Sequence, residues 1–284
     1  RSRDRVSYTP GPSNAAWHEG RADPEMGIGP SFPYAERRFS GGGRGVGKLK
    51  KDAYICYRPN PKNYRMSILK NNDTFAGSYV VRFFIKEGSC AETYRVCDIR
   101  EQPFFLKIFD LERIPAARLT KGGMPFEVEM CARLEHPSLV ACRRTGIESI
   151  GDKRYAYLIT DYIQGGLLAE LLSREHRLPV AQAVELTIRV LEGLSYLHGQ
   201  AETLIHNDIT ARNIMYDCVG DALLRPRIID MGHLSHPVMG RPDFQTSDLE
   251  LCYRAPETFI GIYSKQSDLF SVGVLLYEMI YGCL

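Results

Sequence analysis

The texture of the chain changes at Gly165-Gly166, and that change limits the fold more than any other feature. Before the pair, short runs rich in Tyr, Val, Ile and Phe alternate with turn residues at 53–57, 64–69, 79–85, 92–97 and 104–109. Such runs predict strands of an antiparallel sheet. Residues 125–134 predict a helix closed by His136-Pro137, and two more strands are expected near 140–148 and 155–160. After the pair the spacing turns helical, with a short helix at 167–173 and a long one at 180–198 behind Pro179. Val184, Ile188, Leu191, Leu194 and Leu197 are expected to share the buried face of the long helix. A last helix at 268–281 is apolar nearly all round and is expected to be buried. Strands first and helices second imply two unlike lobes, an α+β arrangement.

The segment 1–52 stands apart. Residues 1–50 hold nine Gly, five Pro and nine Arg or Lys against five Asp or Glu. With few aliphatic side chains, such a segment cannot offset the entropy of ordering it, so a disordered basic arm is expected. Residues 42–48 have the spacing of a phosphate-binding loop. Leu49 stands where Ser or Thr should follow and no strand precedes it, so this is a flexible glycine linker. The remainder carries 27 basic and 29 acidic residues, and no nucleic-acid-binding surface is evident. Residues 53–78 read as extra strands or a linker.

Eight cysteines are scattered without any C-x-x-C pair or zinc spacing, which favours a reducing compartment such as the cytoplasm. No stretch reads as a membrane span; the most apolar, 269–284, is too short and contains Glu278. The chain begins at Arg1 rather than Met and reads as a fragment.

Two phrases carry the chemistry. The first is His206-Asn207-Asp208-Ile209-Thr210-Ala211-Arg212-Asn213, and the second, after an apolar run, is Asp230-Met231-Gly232. Phosphoryl transfer needs one carboxylate to orient an attacking hydroxyl, then an amide and a carboxylate to hold magnesium on the phosphates. Upstream, Phe104-Phe105-Leu106-Lys107 sets a lysine among apolar neighbours, which is costly unless the ammonium is paired.

The order of these motifs over about 79–284 resembles the eukaryotic-type protein kinases. The resemblance implies a bilobal fold, with a β-rich N-lobe at 79–164 and an incomplete α-rich C-lobe at 165–284. It implies ATP and Mg²⁺ as cofactors and a protein substrate. Lys86, Gly88 and Ala91 fall on the three positions of the glycine-rich loop, of which only Gly88 is glycine, so Lys86 and Gly88 would meet the phosphates. Lys107 would hold the α- and β-phosphates, paired with Glu127 or, as the fallback on a different face, Glu129. Phe105 replaces a small alanine and would tilt the base or block it. Thr160 is similar to the gatekeeper, and the backbones of Asp161 and Ile163 would bond the adenine edge. Asp208 would orient the substrate hydroxyl, while Asn213 and Asp230 would bind metal.

Departures from the family pattern matter too. Asn207 replaces an arginine, so no cation there can clamp a phosphorylated activation loop. Thr210 stands where serine/threonine kinases carry lysine, although that acceptor class is favoured over tyrosine. Asp268, in Asp268-Leu269-Phe270-Ser271-Val272-Gly273, would accept N–H bonds from the catalytic loop. The family's last helices are missing, so part of the C-lobe is expected to expose apolar surface. The alternative to an active kinase is a pseudokinase acting as a binding or scaffolding module, motivated by Lys86, Ala91, Phe105 and Asn207. A small-molecule phosphotransferase would lack Ala255-Pro256-Glu257 and the helix opening at Asp268, both readable here.

Overall fold

A computed structural model describes residues 67–219, 223–239, 251–282 and 284. The expected basic arm, the run at 53–57 and the first part of the run at 64–69 lie outside them. Six strands form one antiparallel sheet: β1 (Thr74–Phe75), β2 (Tyr79–Glu87), β3 (Ala91–Cys97), β4 (Pro103–Asp110), β5 (Cys142–Ile150) and β6 (Lys153–Asp161). Their order is β1-β2-β3-β4-β6-β5. No strand forms at 67–69, contrary to expectation. Those residues are instead tied down by side chains, the Ile68 N–H to Glu92 and the Leu69 N–H to the Tyr94 hydroxyl.

Strand alternation sorts the side chains. On β4, Leu106 and Ile108 enter a core with Val81, Tyr94, Val96, Tyr157 and Ile159. Phe105 and Lys107 therefore share the opposite face. The helix expected at 125–134 is α1 (Phe126–Cys131), shorter than the sequence suggests. Its end tightens as the Arg133 N–H turns back to the Met130 carbonyl, three residues away, ahead of His136-Pro137.

The second lobe holds α2 (Leu168–Glu175), α3 (Val180–His198), a sheet of β7 (Gly166–Leu167), β8 (Ile214–Val219) and β9 (Leu223–Ile228), a pair β10 (Val238–Met239) and β11 (Ile262–Tyr263), and α4 (Lys265–Tyr281). The glycine break is steric. A Cβ on Gly165 would lie 1.7 Å from the Tyr216 carbonyl oxygen, so only glycine lets the chain pass β8.

Helix α3 has the expected bounds but not the expected buried stripe. Ala183, Leu186, Thr187, Val190, Leu194 and Leu197 are buried, whereas Val184 and Ile188 are 40% and 50% exposed. Small residues choose the packed side: a Cβ on Gly193 would come within 3.1 Å of Ser138 and 3.2 Å of Ile228. Thr187 tolerates burial because its hydroxyl donates to the Ala183 carbonyl. Helix α4 departs from expectation as well. Val272, Leu275 and Met279 are buried, yet Leu269, Phe270, Tyr277 and Tyr281 are exposed. A single apolar cluster runs from Val128 and Leu158 through Ile209 and Met231 to Leu194 and Leu275. Among the described residues, no helix is long and apolar enough to cross a membrane.

Candidate active site

Three polar side chains distant in sequence meet beside β4. The Lys107 Nζ lies 2.7 Å from Glu127 Oε1 on α1 and 3.0 Å from Asp230 Oδ1. Glu129, the fallback partner, instead pairs with Arg133 one turn along. Helix geometry explains the choice, because residues two apart point to different sides. Gly232 keeps the crossing open, as a Cβ there would sit 3.0 Å from Asp230 Oδ1 and 3.2 Å from Glu127 Oε2. Asp230 also caps the following 3₁₀ turn by accepting the Gly232 N–H, in a left-handed backbone conformation at φ 57°.

The charges support one another. Burial alone would pull the Lys107 ammonium down, but the carboxylates of Asp230 and Glu127 outweigh it and hold it well above the ordinary lysine range. The Lys107 charge drives the Asp230 carboxyl far below the usual carboxylate range, with burial opposing and Lys86 assisting. Burial pushes the Glu127 carboxyl up, and Lys107 counters it.

The loop from His206 to Asp208 hangs on one buried carboxylate. Asp268, 1% exposed at the start of α4, accepts the His206 and Asn207 N–H groups at 2.8 Å each and lies 2.9 Å from His198 Nε2. Desolvation pushes the His206 imidazole below its ordinary range, so it is buried neutral. Asn207 sits at φ 66°, another left-handed residue. Its Nδ2 donates to the His233 carbonyl at 2.8 Å and to Ser235 Oγ at 2.9 Å, joining the loop to the segment after Asp230. A short antiparallel bridge, Ile205 to Ser235, reinforces the join.

Asn213 donates its Nδ2 to the Asp208 carbonyl at 2.9 Å and to Asp208 Oδ2 at 2.5 Å. Its own Oδ1 thereby remains an oxygen donor. Among the described residues, no group of three or more His, Cys, Asp or Glu could hold a metal alone. An ionised Asp230 and the Asn213 amide oxygen offer two hard oxygen ligands, which suits Mg²⁺ carried in on phosphates rather than caged by protein.

At the other end of β4 the positions of the expected base site converge. Thr160 lies opposite Phe105 in the sheet, and the Asp161 N–H is already bonded to the Ala141 carbonyl. The Asp161 carboxylate is held by Arg143 at 2.7 Å, and Arg227 lies 3.8 Å away. Ile163 is buried, and its N–H has no acceptor among the described residues. The Phe105 ring packs on Tyr162 with centroids 4.9 Å apart, and the Arg95 guanidinium lies 4.7 Å from the Tyr162 ring centre and 5.5 Å from that of Phe83. Lys86 is exposed near the end of β2, and the Gly88 N–H is engaged within the hairpin by the Ala91 carbonyl at 2.7 Å. An open groove of about 450 Å³, lined by Tyr79, Phe104, Arg143 and Asp161, holds none of the Lys107 cluster.

Sequence reasoning missed His233. Its Nδ1 lies 3.2 Å from Asp208 Oδ2, and its place directly after Asp230-Met231-Gly232 was the available signal. It also missed the Asn207 side chain as a cross-link and the stack of Arg95 on Tyr162.

Lys107, Glu127 and Asp230 thus meet beside the antiparallel sheet, and Asp208 pairs with Asn213 on its loop. The chain belongs to the protein kinase domain family, whose pattern it matches over residues 79–284. It is 31% identical over 208 residues to the serine/threonine-protein kinase PknL of Mycobacterium tuberculosis, covering 72% of this chain and 49% of that protein. It is 30% identical over 174 residues to the serine/threonine-protein kinase VIK of Arabidopsis thaliana, covering 58% of this chain and 37% of that one. It is 29% identical over 223 residues to calcium-dependent protein kinase 4 of Plasmodium berghei, covering 77% and 40%. The chain thus spans half or less of the length of these relatives.

Proposed function

We propose that this domain transfers the γ-phosphate of ATP to a hydroxyl of a protein substrate, serine or threonine in preference to tyrosine. One observation carries the reading: Lys107, Glu127 and Asp230, separated by up to 123 residues, meet within 3.0 Å of the lysine nitrogen. The relatives PknL and VIK, both serine/threonine-protein kinases, support the acceptor class. In this reading Lys107 orients the α- and β-phosphates and Glu127 fixes the lysine. Asp208 aligns the attacking hydroxyl and takes its proton late in the transfer. Asn213 and Asp230 are the metal ligands. Mg²⁺, when bound, neutralises phosphate charge. Lys86 and the Gly88 loop cover the phosphates, while Thr160, Asp161 and Ile163 border the base. The reading places the domain in a reducing compartment such as the cytoplasm, on its eight scattered cysteines without C-x-x-C or zinc spacing.

The decisive test is radiolabelled ATP transfer by the full-length protein, wild type against Asp208→Ala. Signal in the wild type that the variant loses supports the assignment; equal signal in both removes Asp208 from it. A second reading, a pseudokinase scaffold, is favoured by the tilted Phe105–Tyr162 ring contact at the expected base site. Absence of Mg²⁺-dependent ATP binding by the full-length protein selects that reading.

A further inference from the structure

The Asp208 carboxylate has two polar neighbours on one of its oxygens. On Oδ2 it meets the Asn213 amide at 2.5 Å and the His233 imidazole Nδ1 at 3.2 Å. Oδ1 has no partner among the described residues, so the Asn213 bond and the His233 contact both fall on Oδ2 and the other oxygen is left for an incoming hydroxyl. The histidine is itself gripped: Asn207 Nδ2 bonds its carbonyl at 2.8 Å, and Asn207 hangs by its own N–H from Asp268. The path is closed, running from loop backbone to the segment after Asp230 and back to the loop side chain. On the loop itself, Thr210 is 3% exposed and its Oγ1 has no hydrogen-bond partner among the described residues, so it supplies no contact to the carboxylate.

We propose that His233 is a positioning residue for phosphoryl transfer, donating its Nδ1–H to Asp208 Oδ2 so that Oδ1 faces the substrate hydroxyl. This deepens the kinase reading above and rests on it. The donor is a specific ring nitrogen, so its replacement has a geometry. The amide nitrogen of Asn at 233 falls near the imidazole Nδ1, whereas that of Gln falls near Nε2, pointing away from Asp208.

The test measures kcat and the KM for ATP with the full-length protein, comparing wild type with His233→Ala, His233→Asn, His233→Gln and Asp208→Ala. A misplaced carboxylate is expected to cost about 10²-fold in kcat in His233→Ala. The KM for ATP should stay within about twofold, because the contact is made to the base and not to the nucleotide. His233→Asn should recover most of the loss and His233→Gln little of it. Asn and Gln share polarity and nearly share size, so a general folding defect would strike both alike. Equal rates in those two variants, or a loss seen in KM with kcat unchanged, overturn the role. Transfer that depends on Asp208 while all three His233 variants match wild type removes His233 alone and leaves the kinase reading standing. No Asp208-dependent transfer from the wild type removes both.

Discussion

Replacing Phe105 by alanine should tighten nucleotide binding while weakening the fold. The ring lies on the same face of β4 as Lys107, two residues before it, and packs on Tyr162 with centroids 4.9 Å apart and planes tilted by 37°. Such a pair is worth about 0.5–1.5 kcal/mol beyond the area it buries. A purine entering beside the ring must break that contact, and the lost energy is subtracted from binding. Removing the ring in advance returns it. At about 1.4 kcal/mol per decade, the gain is roughly 2- to 12-fold in the Kd for Mg²⁺–ATP. Truncating a fully buried phenylalanine costs about 3–5 kcal/mol; Phe105 is half-buried, so a loss of about 1.5–2.5 kcal/mol is expected. Calorimetric titration of the full-length protein gives the first quantity and chemical denaturation the second. Weaker ATP binding by a folded Phe105→Ala protein would refute the reasoning, since the ring would then be a platform for the base. Unchanged binding would show that the base never meets it.

Other expectations rest on single contacts. Asp268→Ala strands the buried His206 N–H and the part-buried Asn207 N–H and should cost roughly 3–5 kcal/mol, read as a lowered denaturation midpoint. Glu127→Ala should cut phosphate transfer about 10²-fold, whereas Glu129→Ala should stay within about twofold, because of the two glutamates Glu127 alone touches Lys107. Equal losses in the two variants would contradict that division. His206 has a folded pKa below its ordinary 6.5, so the unfolded chain takes up the proton first as pH falls. Its contribution is therefore intact above about pH 6.5 and erodes as pH drops below that, by at most about 1.4 kcal/mol per pH unit. The stability difference between pH 7.5 and pH 5.5 should shrink in His206→Gln; an unchanged difference would rule this out.

Motif spacing made the ends of the polar cluster legible, because Lys107, Glu127 and Asp230 each sit at a fixed offset from a local pattern. The choice between Glu127 and Glu129 was settled in space, by which side of α1 faces β4. The bounds of α3 were readable from Pro179 and the helical period. Its buried side was not, since apolar residues lie on both sides and the close approach at Gly193 decided which packed. The contact of His233 with Asp208 and the stack of Arg95 on Tyr162 join separate elements, and no periodicity encodes such pairs. The exposed apolar side chains of α4 show the same limit: composition predicted a buried helix, but burial depends on neighbours.

Two non-glycine residues of the site, Asn207 and Asp230, hold left-handed backbone conformations at φ 66° and 57°. Few side chains accept that geometry, with asparagine and aspartate the main ones besides glycine. Mutational drift at both positions is consequently confined by sterics before any selection on chemistry begins. A β-branched or aromatic substitution would warp the chain path itself, so even a descendant that had abandoned catalysis would be expected to keep small polar residues or glycine at these two places.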